Sequence, residues 1–402
     1  MIMNSLMFEK QQTPQPKIAL FNLGFRPFFL GAGIFAIISM SLWMGVYVFQ
    51  LPLPITGISS FQWHAHEMIY GFAMAVIAGF LLTAVKNWTG VQTLYGFGLF
   101  GLVALWMLPR ILFLFGTPWI FIAGFFDLLF ALCLIGSILY PIIKVKQWKQ
   151  LGIIAVLALL TSANGCFYLG AAGLINQGVF FGIYGGLFLI VGLILIIGRR
   201  VIPFFIEVGV GYPVKLFNSK QLDLAIIVLY IAFLIAEVLI RNPWIVALTS
   251  MGLFVANSVR MVGWHTIGIW KKPLLWSLFI AFLWINLGFL LLAVNVFLNL
   301  PNIVVLHAFS IGGIGVVILS MMARVTLGHT GRNVQNPPPT VVISLIVLIT
   351  GAIFRVIAPL IAENHYVIWV ATSQILWIAA FLIFIITYFP MLVKPRIDGQ
   401  FG

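Results

Sequence analysis

Twelve apolar runs follow one another along this chain, near 28–49, 66–86, 95–115, 118–142, 151–172, 178–199, 222–240, 244–264, 274–298, 304–326, 340–360 and 366–390. Each is about twenty residues long, the length that crosses a bilayer as a helix. In hydrocarbon every backbone polar group must be satisfied internally, which leaves helices or a closed barrel. A barrel would alternate apolar and polar residues over stretches of about ten, and these runs are continuous. Composition agrees. Of 402 residues 63% are hydrophobic and 7% charged, against about 25% charged in a soluble protein. So few charges cannot cover a soluble surface of this size.

The predicted fold is therefore an all-α polytopic membrane protein of about twelve transmembrane helices. A transmembrane domain, 28–390, lies between an N-terminal segment, 1–27, and a tail, 391–402. The first 27 residues show no short apolar core with a cleavage site, so no signal peptide is expected.

The basic residues orient the bundle. With twelve spans and the N-terminus inside, 17 of the 21 Lys and Arg fall in cytoplasmic segments. The exceptions are Arg110, Arg241, Arg260 and Arg355. Cytoplasmic loops favour Lys and Arg, so both termini are expected in the cytoplasm. The net charge of +13 then reflects topology and contact with anionic membrane lipids, with no call for nucleic acid.

Several chemistries are excluded or left without a motif. Cys133 and Cys166 are isolated inside apolar runs, and no CxxCH exists to attach a c-type haem. Asn87-Trp88-Thr89 matches a glycosylation sequon but falls on the cytoplasmic side. There is no phosphate-binding glycine loop. A weak internal repeat does stand out. His66, Gly71, Val76, Ile77 and Thr89-Gly90 recur as His307, Gly312, Val317, Ile318 and Thr330-Gly331. The offset is 241 residues throughout. It relates the second and tenth spans and suggests repeats of four helices.

The six histidines are the most informative side chains, because ionisable residues in spans usually face the bundle interior or a cavity. His64 and His66 open the second span and His307 opens the tenth, at similar depth near the outer face. His265 and His329 sit near the inner face, and His365 starts the last span. Neutral imidazole suits iron, copper and zinc. A haem between two helices needs one His from each at equal depth, which His66 and His307 offer. His64 and His66 lie about 200° apart around a helix, so they cannot both face one iron; His64 is the substitute for His66. Histidines that merely hydrogen-bond at the interface are the alternative.

Other polar residues allow two readings each. Arg110 and Arg355 near the outer face suit haem propionates, unless Arg110 pairs with Asp127 or reaches the headgroups. At the inner face Arg260, His265, Arg324, His329 and Arg332 form a second polar group, for a metal or second cofactor at His265 and His329 or for anionic lipid. Glu67, Asp127 and Glu237 are the carboxylates in or at spans, too few for the proton chain of a pump. Glu67 could orient a neighbouring ligand or simply favour a helix N-terminus. Met68, Met321 and Met322 are possible soft ligands or packing. No residue stands out as catalytic.

Four stretches carry a resemblance. Phe21 to Leu30 reads FNLGFRPFFL, Gln62 to Gly90 reads QWHAHEMIYGFAMAVIAGFLLTAVKNWTG, Gly198 to Phe205 reads GRRVIPFF, and His307 to Arg332 reads HAFSIGGIGVVILSMMARVTLGHTGR. In this order they resemble the NnrS family, bacterial membrane proteins tied to nitric oxide, from about residue 20 to the last span. The resemblance implies an inner-membrane protein holding haem b and copper, linked to denitrification and nitrosative stress. It makes His64, His66, His307 and His329 cofactor ligands without saying which binds what. Architecturally the chain is also similar to the catalytic subunit of haem-copper oxidases, with twelve spans, threefold pseudosymmetry and haem ligands on the second and tenth spans. It lacks the oxidase histidine on the sixth span. The expected function is a haem-based response to nitric oxide or a related small molecule. A transporter or exporter of a metal, haem or small anion is the alternative.

Overall fold

The computed structural model describes residues 18–52, 58–116 and 119–402. Residues 1–17, with Lys10 and Lys17, and residues 53–57 and 117–118 lie outside the described residues. Among those described there is no strand. Twelve helices are long and apolar enough to cross a membrane. They are α1 Phe25–Tyr47, α2 Ser60–Thr89, α3 Gly96–Phe115, α4 Ile120–Lys144, α5 Trp148–Ala171 and α6 Gly178–Gly209. The second half comprises α7 Lys220–Ile240, α8 Pro243–Trp264, α9 Pro273–Leu298, α10 Asn302–His329, α11 Pro339–Ile361 and α12 Glu363–Val393. The chain is a multi-pass membrane protein whose outer helix faces meet lipid.

Two helices outrun their apolar stretches. α2 starts six residues before the expected 66, because Ser59 and Gln62 form a capping box. The Ser59 side chain accepts from the Gln62 amide and the Gln62 side chain accepts from the Ser59 amide. His64 and His66 thus lie inside a helix and not at its edge. α6 runs on to Gly209, past Arg199, Arg200 and Pro203. Arg199 meets Asp223 at 2.9 Å and Arg200 donates to Gln150 at 3.2 Å, so neither charge ends the helix.

The described ends of the chain share one face. The Ala19 amide donates to the Val393 carbonyl at 2.8 Å. Arg26 of the FRPFF stretch sends Nη1 to the carbonyls of Met391, Leu392 and Lys394 at 3.0, 2.9 and 2.8 Å. These carbonyls close α12, where helix ends leave acceptors without intrahelical partners. His64 and His307 lie towards the opposite face.

The centre is built from α2 and α10, each 78% buried through its apolar window, whereas α7 is 28% buried. Both change to π-helix where they meet α6: Glu67–Ala73 in α2 and Ala308–Gly315 in α10. These π-turns stand in the same 241-residue register as the sequence repeat. Gly71 and Gly312 are the reason each can sit in a crowded centre. A Cβ on Gly71 would come within 2.6 Å of the Phe35 ring, and one on Gly312 within 2.5 Å of the Trp284 ring. The Thr-Gly pairs close the two helices, with Gly90 at φ 69° and Gly331 at φ 75°, the left-handed turn that glycine takes without strain.

Candidate cofactor cavity and a buried ion cluster

His64 and His66 point to opposite sides of α2, as their angular spacing requires. His66 is fully buried and joins a closed polar cluster. Its Nδ1 meets Glu67 Oε1 at 2.9 Å and its Nε2 meets Asn164 Oδ1 at 2.9 Å. Asn164 Nδ2 donates to Asp127 at 2.9 Å, which fixes the amide so that Oδ1 faces the imidazole. Tyr168 donates to the same carboxylate at 3.1 Å. Arg110 closes the set, with Nε 3.0 Å from Glu67 and Nη2 2.8 Å from Asp127. Both His66 nitrogens face oxygen acceptors, and neither is left for a metal.

The π-turn positions this cluster. A widened turn frees backbone carbonyls from the usual ladder. Here Trp106 Nε1 donates to the Gly71 carbonyl at 2.9 Å and Arg110 Nη1 to the Tyr70 carbonyl at 3.2 Å. Helix α3 thus clamps α2 by both charge and backbone. Arg110 is consumed by these partners and does not reach the cavity on the other side of α2.

That cavity, about 750 Å³, opens among α1, α2, α6, α10, α11 and α12. His64 and His307 both line it, from two different helices, with Arg355. The His64 ring stacks on Trp43, centroids 4.6 Å apart and planes at 7°. Its nitrogens have no hydrogen-bond partner among the described residues. His307 Nδ1 donates to the Ile303 carbonyl at 2.5 Å. Such a bond fixes the tautomer and leaves the Nε2 lone pair free. Arg355 is buried and donates to the Tyr366 hydroxyl at 3.2 Å; it has no carboxylate partner among the described residues. Gln374 also lines the wall, and both its amide atoms are buried without a partner. Buried polar atoms are rarely left so.

The structure therefore separates the expected pair, His66 and His307, and brings His64, His307 and Arg355 to one cavity. A family model described as NnrS protein matches residues 19–396. The chain belongs to the NnrS family. No curated protein matches it. At the level of the family it is a membrane protein of the nitric oxide response.

The NnrS motifs divide into cavity-facing and structural parts. In WHAHEM, His64 faces the cavity, while His66 and Glu67 belong to the ion cluster. In the tenth-span motif, His307 faces the cavity and the distal HTGR ends the helix. His329 sits there beside the Phe25 ring, and its Nε2 is 3.3 Å from Asn87 Nδ2. His265 lies elsewhere, accepting from Trp270 Nε1 at 3.1 Å. Arg260 pairs with Asp223 at 2.7 Å, and Arg324 stacks over Phe205, 3.7 Å from the ring centroid. Among the described residues these inner-face groups are held by separate partners and share no single site. Met68 lines the cavity; Met321 lines a different, apolar one.

Asn164, Tyr168, Trp43 and Gln374 escaped sequence reading. The first two sit in α5, where a polar residue in mid-span was the hint that the sequence offered. Gln374, mid-span in α12, carried the same hint.

Proposed function

We propose that this NnrS-family chain holds a b-type haem in the inner membrane and protects the cell from nitric oxide, with His64 and His307 as the residues that hold the haem. The observation that carries the reading is two imidazoles from different central helices lining one cavity. Its volume, about 750 Å³, lies within the roughly 300–1,000 Å³ usual for cofactor sites. His307 keeps Nε2 available, His64 has both nitrogens available, and Arg355 offers a guanidinium with no carboxylate of its own for a propionate. Gln374 supplies a donor and an acceptor that lack partners. Attachment is non-covalent, because the chain has no CxxCH. If bound, haem would be held by His64 and His307 and would supply one-electron chemistry at this site. The protein's part is to hold the ring, neutralise its carboxylates and keep His307 in one tautomer. Copper finds no comparable donor set: no group of three or more His, Cys, Asp or Glu among the described residues could hold it. No role is assigned to it.

With 17 of 21 basic residues on the side of the termini, both termini lie in the cytoplasm and the cavity lies towards the periplasm. An absorption spectrum of detergent-purified protein tests the reading. A haem b spectrum that disappears in His64→Ala and His307→Ala, together with lost resistance to nitric oxide in cells, is expected. A colourless, metal-free protein would overturn it and favour the transporter.

A further inference from the structure

The two imidazoles on the wall of the larger cavity are held in different ways. His307 is pinned by the hydrogen bond from its Nδ1 to the Ile303 carbonyl at 2.5 Å, which settles its tautomer and the direction in which its ring faces. His64 makes no hydrogen bond among the described residues. The χ2 torsion of an imidazole is soft, with a broad, roughly two-fold profile. A metal-holding histidine ordinarily donates its other ring nitrogen to a carboxylate, a backbone carbonyl or water, and that partner orients the ring. At His64 a flat face takes the place of that partner. The Trp43 indole lies 4.6 Å away, centroid to centroid, with the two planes 7° apart.

Sequence spacing builds this stack. Trp43 and Tyr47 are four residues apart on α1, and Phe61 and His64 are three apart on α2, so each pair shares one face of its helix. The two faces meet. Trp43 takes the Phe61 ring edge-on at 5.1 Å and 72°, and its ring centroid lies 5.4 Å from that of Tyr47. Phe61 in turn meets Tyr47 edge-on at 6.0 Å. Edge-to-face contacts at these separations are favoured for aromatic pairs, so the indole is itself held from two sides. Trp43 is buried, and it lines the same cavity as His64. Rotating the His64 ring about χ2 would break the parallel stack. The indole thus restrains the imidazole plane without occupying either ring nitrogen.

We propose that Trp43 is a positioning residue, which fixes the plane in which the His64 imidazole is presented to a haem. The inference rests on the haem reading above and adds to it the residue that sets the geometry of one of the two histidines. The angle between two axial imidazole planes governs the anisotropy of low-spin ferric iron, so electron paramagnetic resonance of the oxidised, detergent-purified full chain reads it. The wild type should give one narrow low-spin signal. Trp43→Leu should shift its largest g-value and broaden the line about twofold or more, because the freed χ2 is broad, while haem content per chain stays the same. Trp43→Phe keeps a flat ring and should keep a line close to that of the wild type. If Trp43→Leu fails to insert, Phe61→Leu, at an exposed position, removes the edge contact on the indole and should broaden the line to a lesser degree. An unchanged signal in both leucine variants, beside a haem spectrum that His64→Ala abolishes, would overturn the role of Trp43 and leave the haem reading standing. So would a loss of haem in Trp43→Leu that Trp43→Phe shares, since that is packing and not orientation. A wild-type protein without haem would overturn both.

Discussion

His66 and His307 occupy the same place in their helices, each one residue before a π-turn and 241 residues apart, yet they are in opposite chemical situations. His66 has both nitrogens engaged, by Glu67 and Asn164. His307 has one nitrogen on the Ile303 carbonyl and the other available to a cavity. The difference arises from the neighbours on each side. Beside α2, helices α3, α4 and α5 contribute Arg110, Asp127 and Asn164. Beside α10, helix α11 contributes Arg355, and the start of α12 brings Glu363 to the same cavity wall without an ion pair between the two. Equivalent backbone geometry thus places one imidazole in a closed ion cluster and the other on the wall of a cavity. Shared register predicts where a turn falls; the neighbouring helices decide what the side chain beside it does.

The largest effect should come from breaking the anchor. Arg110→Met leaves Glu67 and Asp127 buried with His66 as their only remaining cationic candidate. Removing one partner of a buried ion pair costs about 3–5 kcal/mol, because the other charge is left uncompensated. Unfolding of detergent-purified protein should shift strongly to lower temperature, and the yield of inserted protein should fall. A variant as stable as the parent would mean that the cluster is solvated and not closed.

Next comes the contrast between neighbours in one motif. His64→Ala and His307→Ala should each remove or alter the haem spectrum with unfolding nearly unchanged. His66→Ala should do the reverse, lowering stability because Glu67 Oε1 and Asn164 Oδ1 lose their imidazole partner, while a properly inserted fraction keeps its spectrum. If His66→Ala bleaches a stable protein and His64→Ala does not, the roles of the two are exchanged and the cavity is not the haem site.

How far the sequence alone reached follows the same division. The twelve spans were legible because a bilayer demands long apolar runs, and their number and order agree with the structure. The family was legible in the quoted motifs, which lie within the matched residues 19–396. The ends of α2 and α6 were not, since hydropathy stops at the first polar residue while helices continue through capped or paired ones. Ser59 and Gln62 did carry a readable capping signal. The pairing of His66 with His307 rested on equal depth and repeat register, and neither quantity contains the rotation that sends His66 towards α5. The 200° between His64 and His66 did contain it, as a statement that one of the two must face away. Arg110 had three readings in the sequence; the pairing with Asp127 is the one the structure has.

Smaller effects should sharpen the cavity side. Arg355→Leu removes a charged hydrogen-bond donor from the wall, worth about 1.5–3 kcal/mol to a carboxylate. Haem affinity should fall roughly tenfold to a hundredfold. Gln374→Leu removes a neutral partner and should lower affinity by no more than about tenfold. It should also raise the stability of haem-free protein, because a buried amide without partners is replaced by an apolar side chain. Titration of stripped protein with haem measures both. Equal affinities for the parent and Arg355→Leu would place the propionates elsewhere.

The smallest effect is expected where the same arginine–carboxylate chemistry lies in water. Arg396 and Asp398 pair in the tail beyond α12, with Arg396 Nε donating to Asp398 Oδ1 at 2.9 Å. Arg396 Nη1 also reaches the His329 carbonyl at 3.1 Å, and the Ile397 amide donates to the Thr330 carbonyl at 3.3 Å. The pair therefore latches the tail onto the end of α10. The hydrogen bond from Arg396 lowers the Asp398 pKa from 3.8 to about 2. A depressed carboxylate pKa means that the latch is fully present above pH 3.8 and is lost as pH falls through about 2. The carboxylate is exposed, so the gain is screened by solvent. Hydrogen exchange at the Ile397 amide, corrected for its intrinsic rate, should stay level from pH 7 to pH 4 and quicken below. Asp398→Asn should speed it by less than about fivefold at pH 7 and abolish that pH step, with global unfolding unchanged. A response as large as that of Arg110→Met would mean that burial is not what separates the two arginines, and the contrast between the closed cluster and the open surface would fail.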